Sequence, residues 1–513
     1  MNARLHRNTA YFMSAQLLNR GAYAALLVTL TFLFGIGSVT DIFFVAITIP
    51  VMIVNITMDG CFVTVLRALS KTVSEDEQWA VIGQSLVLFA VVYLIIAAII
   101  GVFAPELVRV TAPGLSGNSR RQAIGLLAFA ASMIPAQGIG QVVSSTFIHR
   151  ERVAAGAWRP AIVSILSLIA AFGGAAALGA SIQVFLSGMV LGVWIVNLGY
   201  LIWLLKGKKG FALHLRFGAD IAQIFWSALV NSGNNVPTNI ALLVERAVAT
   251  LLGPGALSAI NLARTCLNLV GAPAAAAANS TFVEAMMVPG SSSGHELLRR
   301  RAGMLYGPLF IATPILALLA IESPTVVRFL FEHGRANAVS ADIVAHVLLI
   351  LVASFPFLIC STGLLRLYQS AYIENLHLGI LCAGTAVYAL VAILFGKSMR
   401  IGELAAVYVV CFNMTAFTLA AVAAHRLGRE VIAIPWIRWS VASIASLGIL
   451  MLRGLVPPFS SAVVELLVDG AIAVAAYAVV GWAIDLPGIR SAIALMFRIV
   501  GLSAREKAVG EAK

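Results

Sequence analysis

Long apolar stretches recur along the whole chain and are separated by short polar or charged segments. Residues 85–103 and 404–424 are examples, and each is close to the ~20 residues that a helix needs to cross the hydrocarbon core of a bilayer. Apolar length and polar breaks together predict about fourteen spans. These lie near residues 9–33, 41–66, 79–104, 122–147, 159–180, 183–205, 219–250, 255–288, 303–327, 341–368, 376–396, 402–424, 431–452 and 462–485.

The composition agrees with a membrane protein. The chain has 513 residues, of which 60% are hydrophobic and 11% charged, and its mean hydropathy is +0.97. A water-soluble protein of this size could not cover its surface with so few charges. We therefore predict an all-α membrane protein with about fourteen transmembrane helices.

The net charge of +12 is informative mainly through its distribution, which predicts how the spans are oriented. With the N-terminus in the cytoplasm, the segments predicted to lie inside hold 21 of the 34 Lys and Arg residues, and those outside hold 8. Cytoplasmic loops carry an excess of basic residues, so this bias favours an even number of spans with both termini inside. The positive charge is then explained without a nucleic-acid partner, and none is expected.

Two stretches of the chain read as copies of each other. The first runs from Leu33 to Asp41 and the second from Leu251 to Ala259. The matching positions are Gly35 with Gly253, Gly37 with Gly255, and, at nearly the same offset of 218 residues, Pro105 with Pro324. This offset maps span 1 onto span 7 and span 4 onto span 10, which predicts two six-helix lobes related by a parallel repeat, plus two C-terminal helices.

The repeat and the breaks between spans predict the organisation of the chain. The expected parts are an N-lobe at residues 1–206, a basic cytoplasmic linker at 207–218, a C-lobe at 219–425, the two C-terminal spans at 426–486, and a basic amphipathic cytoplasmic tail at 487–513. Basic and apolar positions alternate in the tail so that it is expected to lie on the inner membrane surface.

Charges inside spans are costly and need a partner or a water-filled cavity. Arg20 and Arg264 lie well inside their spans, one in each lobe. Because the planar guanidinium suits phosphate oxygens, we predict that both bind an anionic, phosphorylated substrate. Asp41 and Asp59 are candidates for orienting Arg20 or gating the cavity, and the alternative is that either one holds Arg20 in an internal ion pair.

Further polar and helix-breaking residues are candidates for gating, ion binding or hinge motion. Span 7 contains three asparagines beside a proline that should kink it, and it ends with an acidic and a basic residue for which a structural role is favoured. A polar hinge without a ligand is the alternative for the asparagines. The gating or ion-binding candidates are Asn231, Asn234, Asn235, Glu245 and Arg246, and the hinge candidates are Pro237, Pro273, Pro135 and Pro356.

Signs of catalysis are absent from the sequence. There is no Walker motif and no HExxH, and Gly290–Gly294 matches GxSxG in letters only, without the strand of a nucleophile elbow. The five cysteines lie in apolar context with no CxxC or Cys/His spacing. We predict no catalytic residue, no metal site and no cofactor, so transport energy would come from an ion gradient, the membrane potential or the substrate gradient.

Several segments occur together in a characteristic order. They are residues 40–46 followed by Ile49–Pro50, then Asp59–Gly60, 104–114, 253–264 and 328–334. These segments resemble, in this order, motifs of the MurJ (MviN) lipid II flippases, a family of the multidrug/oligosaccharidyl-lipid/polysaccharide (MOP) exporter superfamily. The resemblance runs over about residues 10–375 and includes the number of spans.

The resemblance implies a function and a location. It implies movement of an undecaprenyl-pyrophosphate-linked saccharide from the inner to the outer leaflet of a bacterial cytoplasmic (inner) membrane by alternating access. The implied partners are that glycan lipid, the membrane lipids and a coupling cation. Arg20, Arg264 and Asp41 match charged residues of the family, and Asp59 stands where the family usually has Glu.

Departures from the family pattern leave alternatives open. Two further cavity arginines of the family would fall near Leu26 and at Val54 or Asn55, and this chain has none there. Span 11 also lacks the acidic residue of the family's cation site, which puts cation coupling in doubt. A flippase for another polyprenyl-linked exopolysaccharide or oligosaccharide precursor is therefore the main alternative. A drug exporter, a membrane glycosyl- or acyltransferase and a non-transporting scaffold are less favoured.

Overall fold

The structure is a computed structural model that describes residues 2–150, 152–206, 219–269, 271, 312–354, 363–365, 367–368, 373–428, 436–453, 461–484 and 486. Across these ranges the chain is helical and contains no strand. Helices are expected in lipid, because each helix satisfies its backbone hydrogen bonds internally where no water is available.

Eight helices make up the first part of the chain. They are α1 (Asn2–Phe34), α2 (Ser38–Ser70), α3 (Glu75–Val102), α4 (Ala104–Thr111), α5 (Gly117–Ala130), α6 (Met133–His149), α7 (Val153–Leu178) and α8 (Ile182–Leu205). Helices α5 and α6 follow each other along one predicted span, with Pro135 in the first turn after the break.

The second part continues the helical pattern. Its helices are α9 (Ala219–Ser232), α10 (Val236–Ala249), α11 (256–269), α12 (Ala312–Ile321), α13 (Ser323–Phe331), α14 (Ala338–Val352), α15 (Glu374–Phe395), α16 (Ile401–Leu427), α17 (Trp436–Arg453) and α18 (Ala462–Ala483). Each of the fourteen predicted spans overlaps at least one of the eighteen helices.

The described helices confirm a polytopic membrane protein. Nine of the spans within the described ranges are long and apolar enough to cross a bilayer, or ten if the bent pair α12 and α13 counts as one. The exact number of fourteen stays a prediction, as do the predicted domain boundaries.

The two segments that carry the Pro105 and Pro324 echo adopt the same local structure. Each forms a short helix, α4 or α13, with the proline in its first turn and an arginine in its last. In the second copy the chain bends by 81° between α12 and α13, at Glu322. Proline suits this first-turn position because its missing N–H would have no helical acceptor there.

Helices of the first part pack mainly on one another, with α1 on α7, α7 on α8, α2 on α5 and α6, and α3 on α6. Within this lobe α7 and α8 approach closely through small residues. A Cβ on Gly188 or Gly192 of α8 would overlap the backbone of α7 at Ala170 and Ser167. Small residues allow this backbone approach, which is how van der Waals packing holds helices together in lipid.

The two parts of the chain meet along α2. Thr64 Oγ1 lies 3.3 Å from Ser227 Oγ, and a Cβ on Gly60 would strike α9. Farther along α2, Arg246 Nη1 donates to Thr48 Oγ1 at 3.0 Å. An antiparallel contact between α2 and the α9–α10 span thus forms much of the interface between the predicted lobes.

Candidate functional site

Arg264 of α11 is held by Glu245 of α10. Arg264 Nε donates to Glu245 Oε2 at 2.7 Å and Arg264 Nη2 donates to Oε1 at 2.7 Å, which is a bidentate ion pair. The Glu245 side chain is 1% exposed and that of Arg264 is 12% exposed. Paired in this way, a charge can be kept at membrane depth.

Tyr408 of α16 covers the same guanidinium. The Cζ atom of Arg264 lies 4.0 Å from the centre of the Tyr408 ring, a cation–π contact. The ring in turn packs against Phe412, with 4.3 Å between centroids, and against Tyr388 at 5.5 Å. Three helices therefore fix the position of the Arg264 guanidinium.

Arg246 points away from its neighbour Glu245, because consecutive helical residues are turned by about 100°. Its guanidinium reaches α2 and donates to Thr48. Tyr23 of α1 lies near both Arg246 and Arg20, and Arg246 lies near Arg264. The structure thus brings Arg20, which sequence reasoning assigned to the substrate, close to Arg246, for which it favoured a structural role.

The charges in this region do not balance. Among the described side chains, Glu245 is the one carboxylate paired with any of the three arginines. Arg20 is exposed on α1 and makes no hydrogen bond or ion pair within the part of the chain that the structure describes. Counting the described side chains, the region between α1, α10 and α11 therefore carries excess positive charge, which suits an anionic ligand.

Asp41, predicted to act with Arg20, has a different partner. Its Oδ2 accepts from the Gly255 amide at 2.6 Å, and its Oδ1 accepts from the Ser258 amide at 2.8 Å and the Ser258 hydroxyl at 2.6 Å. Asp41 therefore caps the first turn of α11 across the lobe interface. No Arg20–Asp41 ion pair is present among the described residues.

The two repeated glycine turns meet at this cap. Gly35, Gly253 and Gly255 have φ values of 76°, 114° and 86°, a conformation that favours glycine. A Cβ on Gly255 would lie 3.5 Å from the Gly37 Cα, so the turns touch backbone to backbone. These are the turns that the predicted orientation places on the outer face.

Other outer loops join the same contact. The Gly114 amide donates to Thr250 Oγ1 at 3.1 Å, and the Arg335 amide donates to the Phe32 carbonyl at 3.1 Å. Together with Asp41, these bonds close the predicted outer end of the interface.

The α-helix of span 7 is interrupted beside Pro237. A 3₁₀ turn at Gly233–Asn235 separates α9 from α10, and Pro237 lies in the first turn of α10. Asn235 Nδ2 donates to the Asn55 carbonyl of α2 at 3.3 Å. A hinge role for Pro237 and Pro135 stays a prediction.

Some candidates fall beyond what the structure describes. Pro273, Pro356, the linker 207–218 and the tail 487–513 lie outside the described residues. Asp59, Asn231 and Asn234 lie in helices or turns, but their side chains are likewise outside the described part.

Arg159 is the first residue of the predicted span 159–180, and the structure places it farther inside a helix that begins at Val153. It lies in the first two turns of α7 and is 1% exposed. Its guanidinium donates to Ser144, Gln137 and Asn197. The hydropathy pattern could not locate it, because a charge at the edge of an apolar run reads as the end of the span.

Three carboxylates also gather at the C-terminal helices. Glu322, Glu465 and Asp469 present oxygens within 4.8 Å of one another. Arg453 Nε lies 3.1 Å from Asp469 Oδ1, which supplies a positive charge to the group. The sequence pattern gave no sign of this group, because its members come from distant parts of the chain.

The chain is similar to a known protein family and to solved structures. A sequence profile described as lipid II flippase MurJ matches residues 30–468. No curated protein sequence matches the chain. A solved structure described as lipid II flippase MurJ in an inward closed conformation has a TM-score of 0.75 at 15% identity, covering 95% of this chain and 99% of the other.

More distant neighbours share the fold. An inward-facing multidrug resistance MATE transporter of the MOP superfamily has a TM-score of 0.66 at 14% identity, covering 83% of this chain and 99% of that chain. A MOP superfamily transporter from Pyrococcus furiosus has a TM-score of 0.62 at 15% identity, covering 83% and 95%. With the profile match spanning most of its length, this chain belongs to the MurJ lipid II flippase family.

Proposed function

We propose that this protein moves an undecaprenyl-diphosphate-linked saccharide of the lipid II type from the inner to the outer leaflet by alternating access. It acts in a bacterial cytoplasmic membrane, with both termini in the cytoplasm. The observation that carries the proposal is the excess of arginine between the lobes, where Arg20, Arg246 and Arg264 face one described carboxylate.

The arginines suit a diphosphate for physical reasons. A guanidinium stays charged in a nonpolar setting and presents a planar set of donors to phosphate oxygens. Glu245 compensates Arg264 when no substrate is bound and holds its fork in position. A diphosphate then supplies the missing negative charge to Arg20 and Arg246. It also binds Arg264, which it shares with Glu245.

The cap at Asp41 supports loading from the inside. Its three hydrogen bonds and the backbone contact of the glycine turns hold the predicted outer end shut. Release to the outer leaflet requires these bonds to break while the lobes close at the other end.

An apolar cavity supports a lipid substrate. About 520 Å³ of space lies between α12 and α18, and its lining has no charged side chain. The lining includes Pro314, Leu318 and Leu467. A polyprenyl chain fits such a surface because both are apolar, so no hydrogen bond is lost when they come into contact.

A second candidate is transport of another polyprenyl-linked glycan precursor. The positions where the resemblance leads one to expect further arginines, Leu26, Val54 and Asn55, line one cavity of about 180 Å³ inside the N-lobe. A cavity with neutral residues at these positions contacts the headgroup differently from one with two arginines, so a different saccharide is the specific alternative.

Depletion of the protein tests both candidates. Lipid-linked intermediates are extracted and quantified by mass spectrometry, with complementation by the wild type or by Arg264→Ala. Accumulated lipid II, relieved by the wild type and not by Arg264→Ala, is the expected result. An accumulated exopolysaccharide lipid with a normal cell wall favours the second candidate, and no accumulated lipid-linked intermediate contradicts both.

A further inference from the structure

The buried arginine of the N-lobe has no assigned role in the site between the lobes. Arg159 Nε donates to Ser144 Oγ at 2.6 Å, and Nη1 donates to Asn197 Oδ1 at 2.6 Å and to Gln137 Oε1 at 3.4 Å. All three partners are neutral. Among the described side chains, no carboxylate lies within ion-pair distance of Arg159.

A buried charge without a counter-ion is costly, since hydrogen bonds to neutral groups replace only part of its hydration. Such a charge leaves a positive potential in the lobe around it. A charge of this kind is a candidate for a ligand site, provided that space for a ligand lies beside it.

The structure provides that space. The N-lobe cavity of about 180 Å³ is lined by Gln137, by Ser164 on α7 and by Val193 on α8. Ser164 follows Arg159 by five residues on α7, and Val193 precedes Asn197 by four residues on α8. Gln137 both lines the cavity and accepts a hydrogen bond from Arg159, so it connects the guanidinium with the cavity wall.

Gln137 is oriented by this arrangement. Since its Oε1 accepts from Arg159, its amide nitrogen is left as a donor at the cavity wall. The guanidinium has room only because Gly140 has no side chain: a Cβ there would overlap Arg159 Nη1 and Asn197 Oδ1. The sequence thus keeps a donor facing the cavity with a positive charge directly behind it.

We propose that Gln137 and Arg159 form an anion subsite in the N-lobe cavity that takes a phosphoryl group of the lipid-linked diphosphate. Gln137 donates to the phosphoryl oxygen. Arg159 is a positioning residue, which orients Gln137 and supplies the positive potential. The inference rests on the proposed function and adds a second phosphoryl contact to the arginines between the lobes.

Gln137→Glu separates this proposal from a purely structural role. The new carboxylate would lie beside Arg159, pair with it and cancel its charge, so the fold should keep its thermal midpoint while the subsite repels an anion. Gln122→Glu adds the same charge at an exposed position of α5 and is the matched control.

The measurement is the Kd of undecaprenyl diphosphate for the full-length protein in nanodiscs, with undecaprenol as the uncharged probe. We expect Gln137→Glu to weaken undecaprenyl diphosphate binding at least tenfold, with Gln122→Glu and all undecaprenol values unchanged. Unchanged diphosphate affinity in Gln137→Glu, with an unchanged or raised thermal midpoint, overturns the proposal and leaves Arg159 as a structural residue.

Substitutions of Arg159 test the charge itself. Arg159→Met should match the loss seen with Gln137→Glu, and Arg159→Lys should recover most of the affinity because it keeps the charge. Inorganic pyrophosphate separates the two sources of the phosphoryl group. If Gln137→Glu weakens the binding of free pyrophosphate but leaves the affinity for undecaprenyl diphosphate unchanged, the assignment to the lipid headgroup is overturned.

The same titrations separate this inference from the proposed function. If the wild type prefers undecaprenyl diphosphate and loses that preference in Arg264→Gln but not in Gln137→Glu, the subsite alone is wrong. If the wild type binds undecaprenyl diphosphate no more tightly than undecaprenol, the proposed substrate class and the subsite are both wrong.

Discussion

Four arginines at membrane depth have four different surroundings. Arg264 is paired with a carboxylate, Arg246 with a hydroxyl, Arg159 with neutral amide and hydroxyl groups, and Arg20 is exposed on α1. Because a guanidinium remains protonated in all of these settings, its partners decide what it does. Those with the weakest compensation have the greatest attraction for an anion.

The contributions of the Arg264–Glu245 pair to stability and to transport can be measured separately. Arg264→Gln or Glu245→Gln alone leaves a buried charge without its partner and should lower the free energy of unfolding by about 3–5 kcal/mol. The double variant should recover most of that loss, since both charges are removed. Thermal unfolding of the purified protein measures the stability, and a reconstituted flipping assay measures transport.

Transport is expected to remain abolished in the double variant, because we propose that Arg264 binds substrate. Normal transport by a stable double variant would contradict a role for Arg264 beyond the ion pair. The exposed pair of Arg328 with Asp342 is the control, and its neutralisation should change neither stability nor transport appreciably.

At the residue scale, the sequence indicates which side chains are candidates but not which side chains they contact. Arg264 stood out because it interrupts an apolar span. Glu245, although named as a candidate, could not be paired with it, because the two lie 19 residues apart on different helices. The partners of Asp41 could not be identified from the sequence for the same reason, since they are 214 and 217 residues away.

At the scale of helices, breaks within spans matter more than the spans themselves. The 3₁₀ turn before Pro237 and the bend at Glu322 interrupt predicted continuous spans. Proline and polar residues indicated the first of these from the sequence. The angle of 81° at the second could not be predicted, because it depends on the packing of α13 against α14 and α18.

The close contact of α7 with α8 makes a prediction about two glycines of α8. In Gly192→Ala the new methyl would meet the α7 backbone at Ser167, so we expect a loss of stability of about 1–3 kcal/mol. Gly199→Ala is the matched control, since nothing lies within 4 Å of its Cβ and a helix gains about 0.5–1 kcal/mol from this change. Thermal unfolding in detergent measures both, and equal effects would show that the contact does not constrain α8.

For the whole molecule, the decisive feature is how the two parts of the chain meet. They touch along α2 and at the glycine turns, where Asp41 caps α11. The proposed alternating access would exchange contacts at one end of this interface for contacts at the other. The Asp41 cap is therefore expected to set the balance between the two states.

Asp41→Asn tests this balance. The substitution removes the charge and one acceptor from the cap, so the predicted outer end should open more often. A cysteine at Val45, one turn farther along α2 and buried, reports the opening in a background without the native cysteines. We expect a membrane-impermeant maleimide added outside the cell to label Val45→Cys several-fold faster in the Asp41→Asn background.

Asp342→Asn, at an exposed surface position, is the control and should leave labelling unchanged. Equal labelling with and without Asp41→Asn would show that the cap does not hold the outer end shut.

The sequence by itself determined the class of fold, the internal repeat and the family. Apolar length, backbone satisfaction in lipid and motif order are local properties, and they can be read along the chain. Only the tertiary structure decided that Glu245 holds Arg264, that Asp41 joins the lobes, and that Arg159 is buried beside a cavity. These facts depend on which helices become neighbours, and the positions of apolar residues along the sequence leave that choice open.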